Sequence, residues 1–375
     1  MRLVYLSPVP WASFAQRPHK FVEWFHKRTD ARVLWIDPYP TRLPELADFK
    51  HRPTPSREER QGLSDWISVV RPSALPIEPL PGLSLINKLV WSSTFLQVRE
   101  FVGGHNALIA VGKPSLLANL LIREHVEIPS LYDAMDEFPA FYSGLSKAGM
   151  KKREIELVRK CRDLWVTSTR LKQHWVKMRP DLQLVPNGLE PALFVNVGRD
   201  ERSETKKVFG YIGTIAKWFD WEWVVELAKA RPNDTVRLIG PTYVPVPKSL
   251  PTNIELLPPC SHQQAIDAIS RFNVGIIPFK DSPLTASVDP IKYYEYRAMG
   301  LPVISTDFGE MSLRFEAEGT FISRSLEDIE EQAVRALEHQ DALEDVREFI
   351  NDNSWARRFD RAKLSAENKS VAHSS

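Results

Sequence analysis

The stretch SVDPIKYYEYRAMG, residues 287–300, is followed at once by LPVIST, 301–306. Asp289 suits an N-cap and Pro290 the first helical position, so the pair predicts a helix that starts there. Gly300 marks its end, and the apolar run behind it predicts a buried strand. A helix start leaves four backbone N–H groups without intrahelical partners and carries the positive end of the macrodipole. Lys292 in that first turn is therefore unfavourable for the helix by itself. An anion at the same end relieves the mismatch, because a diphosphate can engage the N–H groups and the ammonium together. Glu295 lies one turn further on the same face, where a carboxylate can accept hydrogen bonds from a ribose diol. A solvated Lys–Glu pair on a surface helix accounts for these residues equally well.

On either side of this stretch, short apolar runs alternate with helical patterns. Strands are expected at 2–7, 31–37, 67–70, 107–112, 130–134, 163–168 and 182–187, then at 207–213, 235–240, 254–257, 274–279, 302–307 and 320–323. Helical patterns fall between them, among them 19–29, 114–125, 170–178, 218–230, 262–272 and 325–339. Runs of this kind alternating with helices indicate parallel sheets covered on both faces. The polar, unpatterned VNVGRDERSETK at 195–206 interrupts the alternation and reads as a linker. The expected fold class is thus α/β, with two doubly wound Rossmann-like domains. Residues 1–194 form the first and 207–350 the second, and 351–375 make a terminal helix and polar tail. Ligands in such sheets bind at the carboxyl ends of the strands, so a cleft between the two domains is expected.

Composition narrows the function. Of 375 residues, 49 are Lys or Arg and 48 are Asp or Glu, giving a net charge of +1. No bulk charge argues for nucleic acid, and any anion site must be local. The two cysteines, Cys161 and Cys260, form no CxxC or Cys/His cluster and fit a reducing compartment. MRLVYLSP runs straight into a strand, without the longer apolar region and cleavage site of a signal peptide. No run of about 18 apolar residues is present. A cytoplasmic location is expected. Two segments leave open a peripheral contact with the inner face of the membrane: the apolar 83–95 and the basic 147–160. Both also read as ordinary amphipathic helices.

Four further stretches carry chemistry. In FGYIGTIAKWFDWEWV, 209–224, a strand ends at Gly213-Thr214, a helix starts near Phe219-Asp220, and Lys217 hangs in the turn. Glycine permits close backbone approach to a ligand, but the turn is not GxGxxG, so no dinucleotide fingerprint is present. In SLYDAMDEFPAFY, 130–142, a strand runs into Asp133, Asp136 and Glu137. A carboxylate at that end can take a proton from an acceptor hydroxyl, and Asp136 is the preferred base. LVPNGLEPALF, 184–194, contains a Pro-Asn-Gly turn in which Asn187 reads as structural. In SPVPWASFAQRPHKFVEWF, 7–25, Arg17 and His19 stand in the first turn of a helix, able to meet an acceptor or a phosphate.

These stretches, in this order, resemble the GT-B nucleotide-sugar glycosyltransferases of bacterial surface-polysaccharide pathways. QRPHKF, YDAMDE, VPNGLEPALF, GYIGTIAKWFDWEWV with LIGP, SRFNVGIIPFKDS and DPIKYYEYRAMGLPVIST carry the likeness over almost the whole chain. The resemblance implies that Lys292 and Glu295 contact the donor's diphosphate and ribose. Gly213, Thr214 and Lys217 then form the other donor-facing loop, and the helix around Trp355 crosses back to the first domain. Many retaining relatives keep two glutamates in the segment; Glu295 matches the second, but Ser287 stands at the first. The acid in YDAMDE is also similar to that of inverting enzymes of the xanthan glucuronosyltransferase type, which favours Asp136 as base.

The implied activity is sugar transfer from a nucleotide-diphosphate donor, UDP before GDP, to a hydroxyl of a saccharide or lipid-linked saccharide. The sugar nucleotide is a substrate, so no cofactor is expected, and without a DxD pair no metal is required. Catalytic roles are expected for Asp136 and Lys292. Arg17, His19 and Asp133 are acceptor-side candidates. Retention and inversion both stay open. A sugar-nucleotide epimerase of the same fold and a non-catalytic nucleotide-sugar-binding scaffold are the alternatives.

Overall fold

A computed structural model describes residues 1–43, 64–80, 84–194 and 205–365. The expected linker therefore falls mostly outside the described residues. By contacts the chain forms two compact units, 1–185 with 359–375, and 186–358.

The first unit contains strands β1 (Arg2–Leu6), β2 (Arg32–Ile36), β3 (Ile67–Val70), β4 (Ala107–Val111), β5 (Ser130–Ala134), β6 (Asp163–Val166) and β7 (Gln183–Leu184). Its helices are α1 (Arg17–Thr29), α2 (Ser84–Val90), α3 (Ser92–Val102), α4 (Leu116–Glu124), α5 (Gly144–Lys160) and α6 (Thr169–Trp175). The strands order as β3-β2-β1-β4-β5-β6-β7, all parallel. Apolar strands such as ALIAV, buried at every position, are what a sheet covered on both faces demands.

The second unit contains β8 (Val208–Ile212), β9 (Thr235–Ile239), β10 (Ile254–Leu257), β11 (Val274–Ile277), β12 (Val303–Thr306) and β13 (Thr320–Ser323). They order as β10-β9-β8-β11-β12-β13, again all parallel. The helices are α7 (Trp221–Ala230), α8 (His262–Ser270), α9 (Ile291–Ala298), α10 (Ile329–Glu338) and α11 (Leu343–Asp352), followed by α12 (Trp355–Asp360) at the passage into the first unit. Every expected strand is present, trimmed by a residue or more at several ends. Helix α11 was not expected from the sequence.

The segment after Phe359 is held in the first unit by specific contacts. Phe359 meets Phe21 edge-on at 5.6 Å and stacks with Trp165 at 6.1 Å. Lys363 exchanges backbone hydrogen bonds with the Gln183 side chain at 2.6 and 2.7 Å. Ser365 donates to both oxygens of Asp163.

Two features fix α9 on the second sheet. Gly275 on β11 has no side chain because the Tyr296 ring occupies that space; a Cβ there would overlap the ring. The Tyr296 hydroxyl in turn accepts the Ile212 N–H at 3.0 Å, at the end of β8. At the other end of the helix, Arg297 makes a buried two-point ion pair with Asp341 (2.7 and 2.6 Å) and donates to Leu301 O at 2.9 Å.

Burial raises the Asp341 carboxyl, but Arg297 and His339 outweigh it and the net shift is downward. A depressed carboxylate stabilises the fold above its unfolded pKa of about 3.9, and that stabilisation is lost as pH falls through the folded value. Asp341→Ala leaves Arg297 buried without its partner and should cost roughly 3–5 kcal/mol in urea unfolding at neutral pH. The difference from wild type should shrink in acid.

Candidate functional site

β8 and β11 are neighbours in the sheet but not in sequence, so the strand order reverses at their carboxyl ends. Open α/β sheets bind ligands at such a switch point. β8 runs into Gly213, which adopts φ +145° and donates its N–H to Ile239 O at 2.9 Å. The loop after it is pinned on both sides. Ile215 N donates to Pro241 O (2.9 Å), while Asp220 N donates to Pro278 O (2.8 Å) and Lys280 N to Trp218 O (2.7 Å). Tyr211 donates its hydroxyl to Thr214 O at 2.9 Å. Asp220 caps α7 by accepting from Glu222 N and Trp223 N, which is why that helix begins there. Lys217 is exposed in this loop.

Lys292 lies directly against Gly213: a Cβ on the glycine would overlap its Cε and stand 2.6 Å from its Nζ. The ammonium is 5.5 Å from the centre of the Tyr211 ring and 6.0 Å from that of Phe279. Aromatic faces attract a cation only weakly. Among the described residues Lys292 has no hydrogen bond and no ion pair. Burial pushes its pKa down, and the charge of Glu295 opposes that shift. Glu295 is half-buried; burial pushes its carboxyl up to about 6, with Lys292 pulling the other way. The two form no ion pair, and both lose solvent. This differs from a solvated surface pair.

Asp289 is not the N-cap. The helix starts at Ile291, its cap residue is Pro290, and no side chain caps it. The Asp289 carboxylate is drawn elsewhere. It accepts from Arg314 at 2.6 Å, from Tyr294 at 2.9 and 3.1 Å and from Asn187 N at 2.8 Å. The Asn187 side chain donates back to Asp289 O at 2.7 Å. An ion pair with a guanidinium is worth more than one cap hydrogen bond. The Pro-Asn-Gly turn is thereby fastened to the start of α9. Ser287 is buried two residues earlier.

The first-unit candidates gather at the start of α1 and the end of β5. Arg17 and Asp133 form a buried two-point pair, at 2.8 Å for both bonds. A cation in a helix's first turn is unfavourable, and Asp133 supplies the compensation. His19 engages both ring nitrogens: Nδ1 accepts from Gln16 N (3.2 Å), which leaves Nε2–H to donate to Trp11 O (3.1 Å). Burial pushes its pKa down, consistent with a neutral ring. Asp136 is half-buried and its side chain makes no hydrogen bond among the described residues. Burial pushes its carboxyl up to about 7, while Arg17 draws it lower.

The structure thus brings Gly213, Thr214, Lys292 and Glu295 to one switch point, and Arg17, Asp133 and Asp136 to the end of β5. Sequence reasoning missed the Tyr211 and Phe279 rings beside Lys292 and the Tyr296 hydroxyl that holds β8. Only the spacing of Tyr296, four residues after Lys292, hinted that α9 has an inward face.

The two doubly wound sheets are those of the GT-B fold. The chain is similar to a trehalose-phosphate synthase (UDP-forming) from Burkholderia vietnamiensis, with a TM-score of 0.63 and 11% identity over 100% of both chains. It is also similar to a sucrose-phosphate synthase from Thermosynechococcus elongatus, with a TM-score of 0.56 and 14% identity over 99% of this chain and 96% of that one. A third structure, described as "Trehalose-6-phosphate from E. coli bound with UDP-2-fluoro glucose", gives 0.60 and 9%, over 99% and 98%. In sequence the chain is 27% identical over 204 residues to the Bacillus subtilis (strain 168) protein named "Putative teichuronic acid biosynthesis glycosyltransferase TuaH". That match spans 48% of this chain and 51% of the relative, about half of each. No family model matches the chain.

Gly213→Ala places a Cβ where Lys292 lies, at a φ that side chains rarely adopt. It should destabilise the protein by roughly 1–3 kcal/mol. Unchanged stability in urea unfolding would mean that neither the backbone angle nor the packing on Lys292 constrains this position.

Proposed function

We propose that this protein is a glycosyltransferase that moves a sugar from a nucleotide-diphosphate donor, UDP-linked in preference to GDP-linked. The acceptor is a hydroxyl of a saccharide or lipid-linked saccharide in surface-polysaccharide synthesis. The observation that carries the reading is Lys292, an ammonium with no ion pair among the described residues, at the switch point of the second sheet. The fold, the partial likeness to a protein named for teichuronic acid biosynthesis and a structural neighbour bound with UDP-2-fluoro glucose support it. Gly213, Thr214, Lys217 and Glu295 complete the donor side. The first unit carries the acceptor side, with Arg17, His19 and Asp133 shaping the surroundings of Asp136. A location on the cytoplasmic face of the membrane is part of the same reading. No helix among the described residues is long and apolar enough to cross a membrane.

In the reaction, the bond from the anomeric carbon to the diphosphate oxygen breaks, and its electron pair leaves with the nucleotide. The acceptor oxygen bonds to the anomeric carbon and its proton passes to Asp136. Lys292 gains most as charge grows on the departing diphosphate, which is the difference that accelerates transfer. Attack opposite the leaving group inverts the anomeric centre, so the product's configuration tests Asp136 as base.

A base must be unprotonated to act, so kcat/KM should rise with pH and level off above about 7, the pKa to which Asp136 is pushed. Asp136→Asn should remove that limb and slow turnover roughly 10²–10⁴-fold, with UDP affinity nearly unchanged. Wild-type rates in the variant would remove Asp136 as base. Lys292→Ala should slow turnover roughly 10²–10³-fold and weaken UDP binding. A thermal-shift screen of UDP- and GDP-sugars should raise the melting temperature of the wild type. No response to any nucleotide would overturn the reading.

A further inference from the structure

Asp289 and Pro290 are the residue types of an N-cap and a first helical position, yet the helix they introduce is uncapped. As N-cap, Asp289 would accept the N–H of Ile291 or Lys292, the second and third helical residues when Pro290 is the first. Neither of those N–H groups makes a hydrogen bond among the described residues, and no side chain caps α9. The Asp289 carboxylate is fully buried and accepts instead from Arg314, Tyr294 and Asn187 N. An acid this close to Lys292 has two natural partners, the open N–H groups and the ammonium. It pairs with neither.

The approach of Arg314 is built into the fold. Arg314 ends the 3₁₀ turn Gly309–Arg314, which follows β12. Gly309, at the start of that turn, adopts φ +47°, and a Cβ on it would stand 2.6 Å from Thr285 O and 2.8 Å from Val288 O. Only glycine lets the turn lie this close to the residues before α9. Glu310 N then donates to Val288 O at 3.2 Å, one residue before Asp289. The guanidinium lies 4.1 Å from the centre of the Tyr293 ring and 5.2 Å from that of Tyr294. Its Nη2 donates to Asp289 Oδ1 at 2.6 Å and to the Tyr294 hydroxyl at 2.9 Å. A charged donor held in this way outcompetes a neutral backbone N–H for the carboxylate.

We propose that Arg314 is a positioning residue for the donor side: it holds the Asp289 carboxylate off the first turn of α9. The N–H groups of Ile291 and Lys292, and the Lys292 ammonium, thereby stay available to an anionic ligand. The proposal rests on the donor-side reading of α9. Without Arg314, Asp289 would cap its own helix and set negative charge where a diphosphate binds. The internal carboxylate and the external anion would then compete for the same N–H groups.

The test is Arg314→Met in the full chain, which removes the charge and keeps much of the length. In the free variant the Ile291 and Lys292 amides should exchange with solvent more slowly than in the wild type, because a cap now protects them. UDP affinity in calorimetry should fall about tenfold, the worth of one cap expressed as a dissociation constant. Adding Asp289→Ala should return the exchange to the wild-type rate and recover most of the lost affinity. An ion pair that serves stability alone predicts a double variant that binds UDP no better than Arg314→Met. Should Arg314→Met fail to fold, Arg314→Gln, which keeps a neutral donor, should show smaller changes in the same directions. Exchange is measured without nucleotide, so a wild type that fails to bind UDP would count against the donor side, while exchange still decides whether Arg314 holds Asp289. Unchanged amide exchange in the Arg314 variants, or no recovery of affinity in the double variant, would overturn the proposal.

Discussion

The ammonium of Lys292 rests on Gly213 and over the rings of Tyr211 and Phe279, with no carboxylate paired to it among the described residues. Burying a cation without a partner is unfavourable, and its lowered pKa is the sign of that. The arrangement persists because the helix that carries it is fixed at both ends by charges already neutralised. Asp289 and Arg314 close the start of α9; Arg297 and Asp341 close its end. Tyr296 ties its middle to β8. The framework thus holds in place a cation that has no ion pair among the described residues.

The first unit shows the complementary device with carboxylates. Asp133 and Asp136 are three residues apart, but their surroundings differ. Asp133 is buried against Arg17, with both oxygens satisfied, and serves to hold β5 to α1. Asp136 lies past the strand end without such a partner among the described residues, and burial raises it to about 7.

The fold was legible because its information is local. Runs such as ALIAV and VGII are apolar at consecutive positions, which only a strand buried on both faces uses well. Asp220 was legible as a helix start, since its side chain serves its own helix. Asp289 was not, because its partner Arg314 comes 25 residues later and nothing in DPIK reports it. Helix α11 escaped notice because LEDVREFIND is largely polar and buries no residue fully. The placement of Lys292 was legible from its position in the helix. Its lack of a counter-ion was not, since Glu295 one turn away invited pairing on paper. The role of Asp133 depended on a contact with Arg17, 116 residues away in sequence.

The central claim is that Lys292 is a partly desolvated cation awaiting a diphosphate. NMR titration of the labelled Lys292 side chain, with and without UDP, tests it most directly. The account predicts a pKa below that of ordinary lysines in the free protein and a marked rise when UDP is bound. An ordinary lysine titration that UDP leaves unchanged would contradict it.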